Sequence, residues 1–182
     1  MARHKALVVL FAASISLVLA PRSAAQADSL LLTIPDQWQP HVFYGGSIYL
    51  SFGNGTSIGA SPLIGWQFTP RFGAGVGITY IYFNDDDYTS HIYGGRVMAR
   101  FDVIPAAYVK GEFSYLWYND SYKEIDLGTT EVPYLFIGGG YRQRISATTY
   151  LEFEVLFDVL QDPNSQYDDW EPVFAVGVSV GV

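Results

Sequence analysis

RFGAGVGITYIYF, residues 71–83, reads with a period of two. Phe72, Ala74, Val76, Ile78, Tyr80 and Tyr82 fall on one side, and Arg71, Gly73, Gly75, Gly77 and Thr79 on the other. Successive side chains of a strand point to opposite faces, so this alternation specifies a half-buried β-strand. Working outward, the same period recurs in Tyr93–Val103, Ala107–Tyr118, Thr148–Val159 and the final segment from Phe174 to Val182. Val42–Phe52, Thr56–Gln67 and Val132–Arg142 bring the expected number of strands to eight. Thr56–Gln67 is interrupted by Pro62, and Val132–Arg142 is apolar on both faces.

The connections alternate in length. Phe68-Thr69-Pro70, Ile104-Pro105-Ala106 and Gln143–Ala147 are short, whereas 84–92, 119–131 and 160–171 are longer and polar. Gly53-Asn54-Gly55 is short where a long loop is expected. Strands of about ten residues, with short turns at one end and long loops at the other, are the layout of an outer-membrane barrel. The expected fold is therefore all-β, an eight-stranded antiparallel up-and-down transmembrane β-barrel.

A soluble lipocalin-like barrel has the same strand count, and the character of the two faces separates them. One face carries no charge, as in Val42, Ile48, Ile78, Val97, Val109, Ile137 and Val155. The other carries Arg71, Arg96, Arg100, Lys110 and Arg142 against Asp102, Glu112, Glu152, Glu154 and Asp158. Equal numbers of each sign suit an interior, where an unpaired charge is costly. Aromatic residues rim the uncharged face twice. Phe52, Tyr80, Tyr82, Tyr93, Tyr115, Trp117 and Phe157 lie toward the long loops, and Tyr44, Trp66, Phe72, Phe101 and Tyr141 toward the short turns. Two such girdles match the two interfaces of a bilayer.

The N-terminus reads as an export signal. Arg3, His4 and Lys5 precede the 15-residue apolar run Ala6–Ala20, and Ala25-Gln26-Ala27 offers a small-x-small cleavage site. The expected division is a cleaved signal over 1–27, a periplasmic lead-in over 28–41 and the barrel over 42–182. Removing the signal leaves seven basic and eighteen acidic residues, a net charge of −11. That balance argues against nucleic-acid binding. An aromatic share of 16% excludes disorder, and the absence of cysteine excludes disulfides, thiolate metal sites and a thiol nucleophile.

Three stretches carry a resemblance: YGGRVMARFD at 93–102, IGGGYRQRI at 137–145 and LFDVLQDPNSQY at 156–167. With them the chain resembles a largely uncharacterised family of small outer-membrane barrels of Gram-negative bacteria. That family belongs to the eight-stranded class that includes the OmpA membrane domain and OmpX. The resemblance implies outer-membrane lipid, lipopolysaccharide and the barrel-assembly machinery as partners, with both termini in the periplasm. Such barrels commonly end in an aromatic residue recognised during assembly, and this chain ends in Val182.

Candidate chemistry is sparse. Some eight-stranded barrels remodel lipid A, which needs a nucleophile held against a base. His41 precedes the first strand at the wrong end, and His91 adjoins Ser90 in a position where neighbours point apart. No catalytic residue, metal or cofactor is expected. Asp85, Asp86 and Asp87, then Asp120, Glu124, Asp126 and Glu131, then Asp162, Asp168, Asp169 and Glu171 place eleven acids at the long-loop end against Lys123. Asp162-x-Asn164-x-Gln166-x-Asp168 spaces oxygen ligands alternately but lacks the central Gly and final Glu of an EF-hand loop. A solvated acidic surface for contacts is the expectation. Arg96, Arg100, Asp102, Lys110, Glu112, Arg142, Glu152, Glu154 and Asp158 are expected to form an ion-paired filling, since eight strands enclose just enough space for side chains. The reading is a non-enzymatic outer-membrane barrel. Its alternatives are a narrow solute pore, a lipid-modifying enzyme and a soluble carrier.

Overall fold

The computed structural model describes residues 38–51, 56–85, 87–123 and 125–181. The signal over 1–27, most of the lead-in, Phe52 of the expected aromatic girdle, Gly53-Asn54-Gly55, Asp86, Glu124 and Val182 lie outside them. Eight strands follow one another: β1 (His41–Ser51), β2 (Thr56–Gln67), β3 (Phe72–Asp85), β4 (Tyr88–Ile104), β5 (Ala107–Tyr122), β6 (Ile125–Arg144), β7 (Thr149–Asp158) and β8 (Pro172–Val180). Each pairs antiparallel with its chain neighbour, and β1 pairs with β8 to close the barrel. Each strand is thus paired on both sides over part of its length, and the backbone groups satisfy one another there.

Three tight connections join the strands at one end. Thr69 Oγ1 accepts from the Phe72 amide at 2.9 Å in the β2–β3 turn. Pro105 and Ala106 form the two-residue turn before β5, beside an irregular register at Asp102/Ile104. The Ile145 amide donates to Thr149 O at 3.0 Å before β7.

The opposite end differs from the sequence reading. The polar stretches 84–92 and 119–131 are largely strand: β3 pairs with β4 up to Asp85↔Tyr88, and β5 with β6 up to Tyr122↔Ile125. Among the described residues only the connection after β7 is a long loop. From Ile125 to Glu131 both faces are exposed and alternation disappears, whereas Tyr88–Ile92 still buries Ser90 and Ile92 beneath a polar sequence; the backbone ladder is indifferent to side-chain polarity in both. A bulge at Asp120/Ser121 bends the β5–β6 hairpin, with Gly128 at φ 88°, a conformation that favours glycine. The wall is therefore uneven, with β6 spanning 20 residues and β7 only 10.

Burial is inverted relative to a water-soluble domain. Among the described residues, fifteen buried side chains are polar or charged and nine are hydrophobic. The outward positions of the barrel are apolar: Val76, Ile78, Val97, Val109, Ile137 and Val176 are all exposed. Cross-strand rows make this wall continuous, for example Val76↔Val97↔Phe113↔Leu135. Arg71 is a correction: it sits exposed in the β2–β3 turn, outside the interior set.

Inward glycines let strands approach where the wall curves. A Cβ on Gly138 would collide with Val155 O, whereas one on the outward Gly111 would meet nothing within 4 Å. Gly138→Ala is expected to destabilise by about 1–3 kcal/mol through forced backbone shifts. Gly111→Ala should change stability by no more than about 1 kcal/mol. Urea unfolding of the two variants checks this, and equal midpoints would contradict the strand approach at Gly138.

Candidate functional site

The interior is stacked in two layers. Strand parity turns Arg96, Arg100 and Asp102 of β4 inward, with Lys110 and Glu112 of β5, Arg142 of β6, and Glu152, Glu154 and Asp158 of β7. Near the short turns, Arg142 Nη2 donates to Asp102 Oδ2 at 2.7 Å. Gln67 bridges onward, donating to Asp102 at 3.4 Å and accepting from Arg100 Nη2 at 3.2 Å. Arg100 Nη1 pairs with Glu152 Oε1 at 3.2 Å, and its guanidinium lies 4.4 Å from the centre of the Phe43 ring. Such a cation–π contact suits guanidinium, which is weakly hydrated.

A second cluster lies beside this one. Lys110 Nζ sits between Glu112 Oε2 and Glu154 Oε2, at 2.9 Å from each. Glu154 also accepts from Tyr108 OH at 2.7 Å. Arg96 Nη1 reaches Glu112 at 3.3 Å, and its Nη2 donates to Ser61 O at 2.6 Å. The Ser61 and Thr79 hydroxyls are hydrogen-bonded to each other across β2 and β3. The space left beside Arg96, Arg100, Lys110, Glu152 and Glu154 amounts to about 30 Å³. That holds a water or two, since one needs at least about 10–15 Å³.

Asp158 departs from the expected ion-pair set. Among the described residues no ion pair joins it to a cation, and its Oδ1 accepts the amides of Leu135 at 3.2 Å and Leu160 at 3.1 Å. It therefore ties the end of β7 to the following loop. The short acidic side chain is suited to bonding backbone amides two residues on, as in an Asx turn.

The second layer escaped the sequence reading. Ile92, Tyr118, Val132, Tyr134, Phe136 and Leu156 form a buried apolar cluster inside the upper barrel. Tyr134 is fully buried and stacks on Phe136 with centroids 5.3 Å apart and planes at 7°. Tyr167, from the long loop, meets both rings edge-on at 5.8 and 5.9 Å. Tyr118 and Tyr134 join hydroxyls at 2.7 Å, and the Gln166 amide donates to Tyr134 OH at 3.4 Å. Burial raises the pKa of the Tyr167 phenol and keeps it neutral. The apolar inner face of β6, Val132-x-Tyr134-x-Phe136, was the available signal for this stopper.

The acids at the far end are dispersed into local roles. Asp87 pairs with Lys123 at 3.3 Å across the two hairpin tips, and that hydrogen bond raises the Lys123 pKa. Asp162 Oδ1 accepts the Asn164 amide at 2.8 Å, and the Asp168 amide donates to Glu171 at 3.0 Å. Asp85 ends β3, Asp169 is exposed in the loop, and Asp86 lies outside the described residues. Asp120, counted above with the loop acids, lies on β5 and accepts from Ser90 Oγ at 2.6 Å. Among the described residues no three acids or histidines converge as a metal site. His41 is the first residue of β1. His91 lies on the outer face of β4, with Nδ1 2.9 Å from Tyr80 OH, while Ser90 is buried on the opposite face. No protein-family model matches the chain, and no curated protein matches its sequence.

Arg100→Ala leaves Glu152 without its cation in the barrel interior. The expected loss is about 3–5 kcal/mol in urea unfolding. Adding Glu152→Ala should return part of it, because the unpaired carboxylate is then removed, and a double-mutant cycle measures the coupling. A single-variant loss within about 0.5 kcal/mol, the range of ordinary surface substitutions, would show that water replaces the pairing.

Proposed function

We propose that this chain is an exported, non-enzymatic outer-membrane barrel whose filled interior holds it shut and whose acidic outer end makes surface contacts. The observation that carries the reading is the inverted burial: a continuous apolar outer wall around a charged, ion-paired interior. An outer wall of Val76, Ile78, Val97 and Val176 would be a costly exposed patch in water and is the expected surface in lipid. A soluble carrier would reverse the arrangement, with its apolar face turned to the cavity. The small OmpA- and OmpX-like barrels are the class with which we group it.

The two interior layers support a closed barrel over a pore. Ion pairs occupy the lower interior, and Tyr134, Phe136 and Tyr167 stop the upper end. The β5–β6 hairpin stands above this stopper and offers Ile125 and Leu127, 65% and 60% exposed, among acids such as Asp126. Apolar anchors within a charged rim are the composition of a contact surface.

Val76→Arg tests the bilayer. Placing a cation on the outer wall should cost about 2–4 kcal/mol in lipid vesicles, the midplane value for such barrels. Gly77→Ser, on the inner face, is not a neutral control, because a Cβ there would lie 2.6 Å from Pro62 O. Ala99→Ser, outward and exposed, is the milder comparison. Fractionation should place the full chain in the outer membrane, with a tag after Ser165 reached by antibody on intact cells and one at Thr69 hidden. In planar bilayers the protein should show no steady conductance. Recovery in a detergent-free soluble fraction would overturn the membrane reading, and a large steady conductance would overturn the closed interior.

A further inference from the structure

The loop that closes the upper barrel has strained ends. Gln161 and Trp170 hold positive φ, 51° and 61°, and stand on either side of Tyr167. A Cβ makes that backbone conformation costly, and such costs persist where the surrounding structure imposes them. Much of the hydrogen bonding between the two is internal. The Asn164 amide donates to Asp162 Oδ1, the Ser165 amide to Asp162 O and the Tyr167 amide to Ser165 Oγ. The bond that joins the segment to the wall, from the Gln166 amide to Tyr134 OH, is long at 3.4 Å. Residues 162–169 are thus built to lift as a unit about Gln161 and Trp170, withdrawing Tyr167.

What Tyr167 covers is an apolar cup shaped around a ring. Ile92, Tyr118, Val132, Tyr134, Phe136 and Leu156 line it, and the Tyr167 ring meets Tyr134 and Phe136 edge-on. One acceptor beside the cup is unused. Asp158 is 4% exposed and acts electrostatically on both Tyr134 and Tyr167. Its Oδ1 takes two backbone amides, but its buried Oδ2 has no hydrogen-bond partner among the described residues. The buried side-chain nitrogen of Gln161, at the hinge, has none either. Further charges that act on these phenols are also negative, Asp120 on Tyr118 and Glu171 on Tyr167. A buried carboxylate without a cation, set against aromatic rings, favours an ammonium through charge and cation–π attraction. The acidic outer end adds a field that draws cations toward the mouth.

We propose that the cup beneath the β7–β8 loop is a ligand site which Tyr167 occupies in this closed form. Its ligand is a small aromatic ammonium, with one ring in the place of the Tyr167 ring and its cationic group at Asp158 Oδ2. A single ring is what Tyr167 vacates, so the site selects against fused polycyclic compounds. The ion pairs about Arg100 and Lys110 lie below the cup, so binding needs no open channel. The site is inside the barrel and does not depend on what surrounds the wall.

Isothermal titration of the full chain in phosphatidylcholine nanodiscs tests this, with empty nanodiscs correcting for partition into lipid. The probes are phenethylammonium, phenethyl alcohol and hydrocinnamate, which share one ring and differ in charge. Wild type should bind the ammonium about tenfold more tightly than the alcohol, and the anion not at all. Tyr167→Ala removes the tethered occupant and should tighten both the ammonium and the alcohol about tenfold, because the competent state no longer has to be opened. Asp158→Asn keeps Oδ1 for the two amides and should bring the ammonium down to the affinity of the alcohol, a change that loss of loop packing alone would not produce. Equal affinity of wild type for ammonium and alcohol, unchanged affinity in Tyr167→Ala, or a retained ammonium preference in Asp158→Asn would overturn the site. Failure of the chain to enter nanodiscs would overturn the membrane reading alone, and the same titrations in buffer then decide the site.

Discussion

The pairing of Arg100 is the constraint around which the interior is organised. A guanidinium 2% exposed needs an anion, further acceptors and a surface that tolerates its planar faces. Glu152 supplies the first, Gln67 the second and Phe43 the third, from strands β7, β2 and β1. Three sides of the barrel are thus held to one side chain on β4. Gln67 extends the same hold to Asp102 and Arg142. The second cluster repeats the solution about Lys110, which takes its two carboxylates from β5 and β7. Interior charge of this kind stabilises little by itself, but a misregistered strand would strand an ion, so the pairs select one register. Apolar residues can cover the outside with little geometric demand because the inside already specifies the pairing.

Period-two alternation made the eight strands and their two faces legible. It worked because one face of each strand is held to a single chemical character over its whole apolar band. Val76 and Ile78 stayed outside and Arg96 and Arg100 stayed inside, as their parity required. Where that asymmetry ended, legibility ended too. Tyr88–Ile92 and Ile125–Glu131 have mixed faces and read as loop, yet they belong to β4 and β6. Arg71 matched the inward parity but fell beyond the last paired residue, where parity has no meaning. Asp158 matched it as well and bonds backbone instead of a cation.

The aromatic stopper was obscured for a different reason. Its members come from β4, β5, β6, β7 and the loop after β7, and only the pairing of four successive strands, with the loop folded over them, brings them together. Tyr167 lies 31 to 33 positions from the rings it meets at Tyr134 and Phe136, so no local pattern announces the contact. Likewise, the partners of Arg100 depend on the register of strands far apart in sequence. Local chemistry can say that an inward charge needs a partner. It cannot say which one.

The circumference is joined very unequally. Strands β4 and β5 are matched over sixteen register pairs, but β1 meets β8 through only Tyr44–Ser47 against Gly177–Val180 among the described residues. That short seam also links the parts of the chain most distant in sequence, so its formation carries the largest loop-closure entropy. Every other junction is a hairpin that can zip from its own turn. Assembly therefore has a natural last step: a curved ribbon of hairpins forms first, and the two terminal strands then meet. The reverse follows for mechanical failure, in which the cylinder unrolls from this seam while its central hairpins remain paired.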